Sequence, residues 1–172
     1  MLMRKVIKVI DSIIDFSAIL ASLFIFCICF IVTWGIIARE FHLKVYWVEP
    51  VTIYMFIAAA FLTIPYTMKM NEHIRVDILM SKLSIKVAKI LDTVLMTLSL
   101  ILFLYITKVT YDMFWSSWTM KTTDLSIIQV PIWIPQIFVV IGWSIFVLSI
   151  LRYILAIWFV EKKTALKEIV GE

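Results

Sequence analysis

Hydrophobic residues fill four long runs of the chain, 16–38, 51–68, 93–107 and 125–151, and every Lys, Arg, Asp and Glu lies between or beyond them. A helix needs about 20 apolar residues to cross about 30 Å of hydrocarbon. The pattern therefore predicts transmembrane helices over about residues 16–38, 50–68, 90–114 and 131–155. The third run is short, so its helix extends toward Lys89 and past Lys108, with the lysine ammonium reaching back to the interface. Glu49-Pro50 is a strong start for the second helix, because proline tolerates the first helical position and a carboxylate favours the positive end of the dipole. Pro65 is expected to kink that helix or loosen its last turn. Pro131 and Pro135 open the fourth helix, and Arg152 follows about 21 residues after Pro131, one hydrocarbon thickness at about 1.5 Å per residue.

Two further segments alternate at helical spacing. Over residues 3–14, Ile7, Ile10 and Ile14 share one side, with Arg4, Lys8, Asp11 and Asp15 largely on the other. Over residues 80–91, Lys82, Lys86 and Lys89 fall on one face, and Leu83, Val87, Ile90 and Val94 on another. Both are expected to be short amphipathic helices at the membrane surface, the second with its lysines among the headgroups. The expected fold class is an all-α integral membrane protein, residues 1–172 forming one membrane domain.

Composition agrees: 63% of residues are hydrophobic and the mean hydropathy is +1.05, against roughly 45–50% apolar in soluble domains. The formal net charge of +4 points to a membrane surface rather than nucleic acid, because the basic residues sit beside the spans. Twelve of the sixteen Lys and Arg fall in the two tails and the second connection, and four in the first and third connections. The positive-inside rule then places both termini in the cytoplasm. Arg4, Lys5 and Lys8 before an apolar run resemble the start of a signal peptide, but the run is too long and lacks a small-residue cleavage site, so a retained first span is expected.

The candidate chemistry is sparse. No ionisable group falls at mid-span and no inverted repeat is visible, which argues against a pump or proton relay working alone. His42 and His73 are expected on opposite sides of the membrane and cannot share a haem or metal. Cys27 and Cys29 point to nearly opposite helix faces and cannot pair with each other. Ser22, Thr33, Thr97, Ser99 and Ser144 read as packing or back-bonding residues. No phosphate loop, nucleophile elbow or zinc motif is present, so neither an enzyme nor a cofactor is expected. The informative polar stretch is 71–77, where His73, Arg75 and Asp77 alternate with Ile74, Val76 and Ile78.

Residues 73–79, His-Ile-Arg-Val-Asp-Ile-Leu, resemble the segment after span two in the small membrane subunit (the Q subunit) of TRAP transporters, the tripartite ATP-independent periplasmic transporters. Arg39 closing span one, Trp47 and Glu49 opening span two, and four spans in 172 residues agree with it. The family often carries Trp-x-Glu-Glu where this chain has Trp47-Val-Glu49-Pro50, so the second carboxylate is missing. The resemblance implies a scaffold subunit in the bacterial inner membrane. Its partners would be a large elevator-type membrane subunit, which binds substrate and sodium, and a periplasmic substrate-binding protein. Substrates would be organic anions, with overall similarity leaning toward the sialic acid type. On this reading Arg39, Trp47 and Glu49 organise the outer ends of spans one and two, an ion pair between Arg39 and Glu49 being one arrangement. His73, Arg75 and Asp77 cap the inner loop, Lys82, Lys86 and Lys89 contact lipid, and none of these binds substrate. The alternatives are a self-contained four-helix channel or exporter, and a membrane assembly protein without transport.

Overall fold

The computed structural model describes residues 2–70, 85–125 and 128–156. They form four helices: α1 (Leu2–Glu40), α2 (Val48–Met70), α3 (Ile85–Thr119) and α4 (Trp133–Leu155). Each is long and apolar enough to cross a membrane. Among the described residues the only β-type pairing is one isolated bridge, Thr123 to Pro131.

Residues 3–14, expected as a separate surface helix, are the opening turns of α1. No glycine or proline occurs between residues 2 and 34, so nothing interrupts the helix where the polar face ends. Residues 85–91 likewise run unbroken into α3, while 80–84 lie outside the described residues. The helices therefore come in two lengths. At about 1.5 Å per residue, the 39 residues of α1 and 35 of α3 extend about 58 and 52 Å, and the 23 residues of α2 and of α4 about 34 Å. The short pair matches a hydrocarbon core of about 30 Å; the long pair overshoots it.

Hydroxyl groups inside the helices are satisfied locally. Ser22, Thr33, Thr97 and Ser144 each donate to the carbonyl four residues earlier, at 2.9, 2.7, 2.7 and 2.7 Å. A hydroxyl in hydrocarbon needs such a partner. α1 ends in a Schellman turn: the His42 N–H donates to Arg39 O and the Leu43 N–H to Ala38 O, both at 2.9 Å. His42 takes the left-handed conformation there, with φ 58°. α3 ends similarly, the Thr122 N–H donating to Ser117 O at 3.2 Å and Lys121 at φ 51°. Each side chain in that region costs roughly 1 kcal/mol relative to glycine.

α2 and α4 make the centre. α1 packs on α2 and more lightly on α4, and α3 packs on α4. Burial follows: 28% of the most apolar window is buried in α2 and in α4, against 11% in α1 and in α3. In a lipid solvent apolar area alone does not join helices, so close backbone approach and polar contacts must. The central seam has both. Pro65 has no N–H to give Phe61 O, its partner one turn earlier. Gly142 of α4 lies against that carbonyl, so closely that a Cβ there would sit 2.6 Å from the oxygen. About two turns further on, the buried Ser149 hydroxyl donates to Pro65 O at 3.4 Å. Rings close the gaps beside the seam. Trp143 of α4 meets Phe61 of α2 at 5.5 Å and Phe103 of α3 at 5.1 Å. Phe24 of α1 meets Phe138 of α4 at 5.6 Å.

Candidate functional site

Polar side chains gather at the two ends of the bundle. At the end where α1 begins and α4 finishes, Asp11 and Asp15 stand one turn apart on α1. Lys69, in the last turn of α2, places its Nζ 2.6 Å from Asp15 and 3.8 Å from Asp11. Arg152, in the last turn of α4, brings Nε to 2.6 Å from Asp11. That last pair is close but poorly aligned for a hydrogen bond, so charge attraction dominates it. Basic residues in the last turns of α2 and α4 also face those helices' negative dipole ends. Tyr153 donates its hydroxyl to the buried Asp92 of α3 at 2.9 Å. All four helices are thus tied at this end, over an apolar cluster of Met68, Met96 and Ile150 with Phe103 and Phe146 packed against it.

At the opposite end the connection from α3 to α4 folds back on itself. Asp124 accepts the Val130 N–H through its carboxylate at 3.1 Å, and its own N–H donates to Val130 O at 3.0 Å. Tyr54 of α2 donates its hydroxyl to the other Asp124 oxygen at 3.2 Å, pinning the connection to the central helix. Trp118 and Trp133 meet edge to face at 4.6 Å where α3 ends and α4 begins. Between this connection and residues 39–46 opens a cavity of about 970 Å³.

The sequence-predicted residues fall as follows. Arg39 and Glu49 both line that cavity, but among the described residues they make no ion pair; the Schellman turn at His42 intervenes between their helices. Trp47 is exposed, immediately before α2. His73, Arg75, Asp77 and Lys82 lie outside the described residues; Lys86 and Lys89 fall in the first turns of α3, their side chains outside the described set. Lys108 and Asp112 are exposed on α3, about 24 and 30 Å along the helix from Asp92, near the far boundary of a hydrocarbon core that begins there.

Sequence reasoning did not find the Asp11–Lys69–Arg152 cluster, the Tyr153–Asp92 bond or the Asp124 clasp. The available signal was the pair of acids one turn apart in an otherwise basic segment. Among the described residues, no group of three or more His, Cys, Asp and Glu could hold a metal ion.

Neither a search of curated proteins nor a search of solved structures returns a match. A family model does match, over residues 28–160: tripartite ATP-independent periplasmic transporters, DctQ component. That span takes in the last third of α1 and the whole of α2, α3 and α4, and on it the chain belongs to the DctQ family, the small membrane component of TRAP transporters.

Proposed function

We propose that this chain is the fixed scaffold of a sodium-coupled importer of organic anions, carboxylates such as sialic acid or dicarboxylates. On this reading the large membrane subunit carries the substrate and sodium sites and moves as an elevator. A periplasmic binding protein delivers the substrate to it. The observation that carries the reading is the contrast between a closed centre and uncovered flanks. The seam of α2 and α4 is a tight backbone contact, and all four helices are tied at one end, which suits a body that does not rearrange. α1 and α3 leave most of their apolar surface uncovered, with Phe16, Phe26, Phe30, Leu98 and Tyr105 each at least 60% exposed. Such faces suit lipid on one side and a large apolar partner on the other.

Reconstitution into liposomes tests the proposal. Substrate uptake is expected with the large subunit, the binding protein and an inward sodium gradient all present, and not with this chain alone. Uptake by the purified chain without a partner sinks it, and so does a large subunit that is stable and fully active without this chain.

The proposed orientation puts the Asp11–Lys69–Arg152 end in the cytoplasm, from the distribution of Lys and Arg. Single cysteines at the exposed positions Lys121 and Ser12, in a Cys27→Ala, Cys29→Ala background, check it. An impermeant maleimide is expected to label Lys121→Cys and spare Ser12→Cys in intact cells. The reverse pattern overturns the orientation.

A further inference from the structure

The cavity of about 970 Å³ changes character with depth. Arg39, His42, Lys44 and Glu49 stand at its mouth, Ile132 and Pro135 line it where α4 begins, and Ile53 and Ile57 line it further along α2. On α2, Glu49, Ile53 and Ile57 follow at four-residue steps on one face, so polar gives way to apolar over about 12 Å along the helix. A second groove of about 300 Å³ shares Arg39, Glu49 and Ile53 and continues between α1 and α2 past Val32, Ile36 and Thr52. The polar-to-apolar order runs from the bundle's end toward its middle, the same order as in the adjoining bilayer leaflet.

The charges at the mouth are uncommitted. Among the described residues, the side chains of Arg39, His42, Lys44 and Glu49 make no hydrogen bond or ion pair, whereas Asp124 is engaged by Tyr54 and Val130. Two cations and one available carboxylate therefore face the same space. A simple anion would use the cations and leave Glu49 and the apolar depth without a role. A hydrocarbon chain alone would use only the depth.

We propose that this cavity seats one phosphatidylethanolamine molecule of the adjoining leaflet. The phosphate lies against Arg39 and Lys44, the primary ammonium donates to Glu49, and an acyl chain runs down the Val32–Ile36–Ile53 groove. The guanidinium and ammonium suit a phosphate ester. Glu49 selects a headgroup that can donate, which a quaternary choline cannot do. The lipid fills the wedge between the turn at His42 and the connection clasped by Asp124, so it sets how those two loops stand relative to each other. The proposal requires only that the chain spans a bilayer and is independent of the transport reading.

Native mass spectrometry of the purified chain in mild detergent tests it, with titration by phosphatidylethanolamine, phosphatidylcholine and phosphatidylglycerol. One phosphatidylethanolamine is expected to persist per chain, held about tenfold more tightly than phosphatidylcholine, the worth of one charge-assisted hydrogen bond. Arg39→Ala with Lys44→Ala should weaken retention of all three lipids about tenfold or more. Glu49→Gln should erase the preference over choline while keeping phospholipid bound. Ile53→Trp, which fills the apolar depth and leaves every charge in place, should also reduce retention; it guards against a double variant that fails to fold. Glycerophosphoethanolamine, the headgroup without chains, should not compete. Equal retention of the three lipids, retention unchanged in both the double variant and Ile53→Trp, or full competition by the chainless headgroup overturns the proposal. These readouts do not involve transport, so their failure leaves the scaffold reading untouched.

Discussion

Gly142→Ala is expected to destabilise the bundle by about 1–3 kcal/mol, the usual cost of overpacking, despite the helix-favouring effect of alanine. The new methyl would meet Phe61 O at 2.6 Å, Phe61 Cβ at 2.8 Å and Phe61 C at 2.9 Å, and two of those three atoms are backbone. Backbone atoms in a helix cannot rotate away, so α2 and α4 must separate. Separation also stretches the Ser149–Pro65 hydrogen bond, already at 3.4 Å, and loosens the Trp143–Phe61 contact. Gly35→Ala is the internal comparison. Its methyl would meet only side-chain atoms of Val48, the nearest at 2.8 Å, at the end of a helix. Thermal midpoints of both variants in one detergent decide the matter. A midpoint for Gly142→Ala at or above that of Gly35→Ala removes the α2–α4 seam from its central place.

Asp11→Ala should have the other large effect, a loss of about 2–3 kcal/mol. Removing one partner of a buried ion pair costs about 3–5 kcal/mol, and this site retains some access to water. Asp11 is 25% exposed, Arg152 15% and Lys69 19%, so the charges left behind are only partly rehydrated. Asp15 is 48% exposed, and Asp15→Ala is expected to cost no more than about 1 kcal/mol, as surface pairs do. A double-mutant cycle of Asp11→Ala with Arg152→Leu should show positive coupling, because the apolar replacement removes the charge that Asp11 balances. Equal midpoints for Asp11→Ala and Asp15→Ala mean that the cluster does not bind α1 to α4.

Much of the architecture was legible because a bilayer imposes strong rules on sequence. Four uncharged runs predicted four crossing helices, and among the described residues four helices are long and apolar enough to cross. The limits of α1 were less legible. Asp11 and Asp15 read as the wet face of a surface helix, and only the fold shows that Lys69 and Arg152, from helices far along the chain, come to meet them. Arg39 and Glu49 each border a span, and both line the cavity at one end of the bundle. Whether they touch depends on the turn geometry at His42, a left-handed residue that no glycine announces. The Gly142 contact left two faint marks, a glycine in an apolar run and a proline that frees a carbonyl. Nothing in either position says that the two helices are neighbours. Asp124 was hidden for the same reason, because its partner Tyr54 lies 70 residues earlier.

The seam between the second and fourth helices also constrains how the protein comes into being. Pro65 and Ser149 are 84 residues apart in the chain. At about 5–20 residues per second, a ribosome needs roughly 4–17 seconds to make that interval. The first hairpin must therefore wait in the membrane with its inner face uncovered until the last helix arrives. Only then does the Pro65-exposed backbone find Gly142, so a nascent chain that stalls before the final span has a first half with no native neighbour, open to membrane proteases and to whatever other helix is nearby.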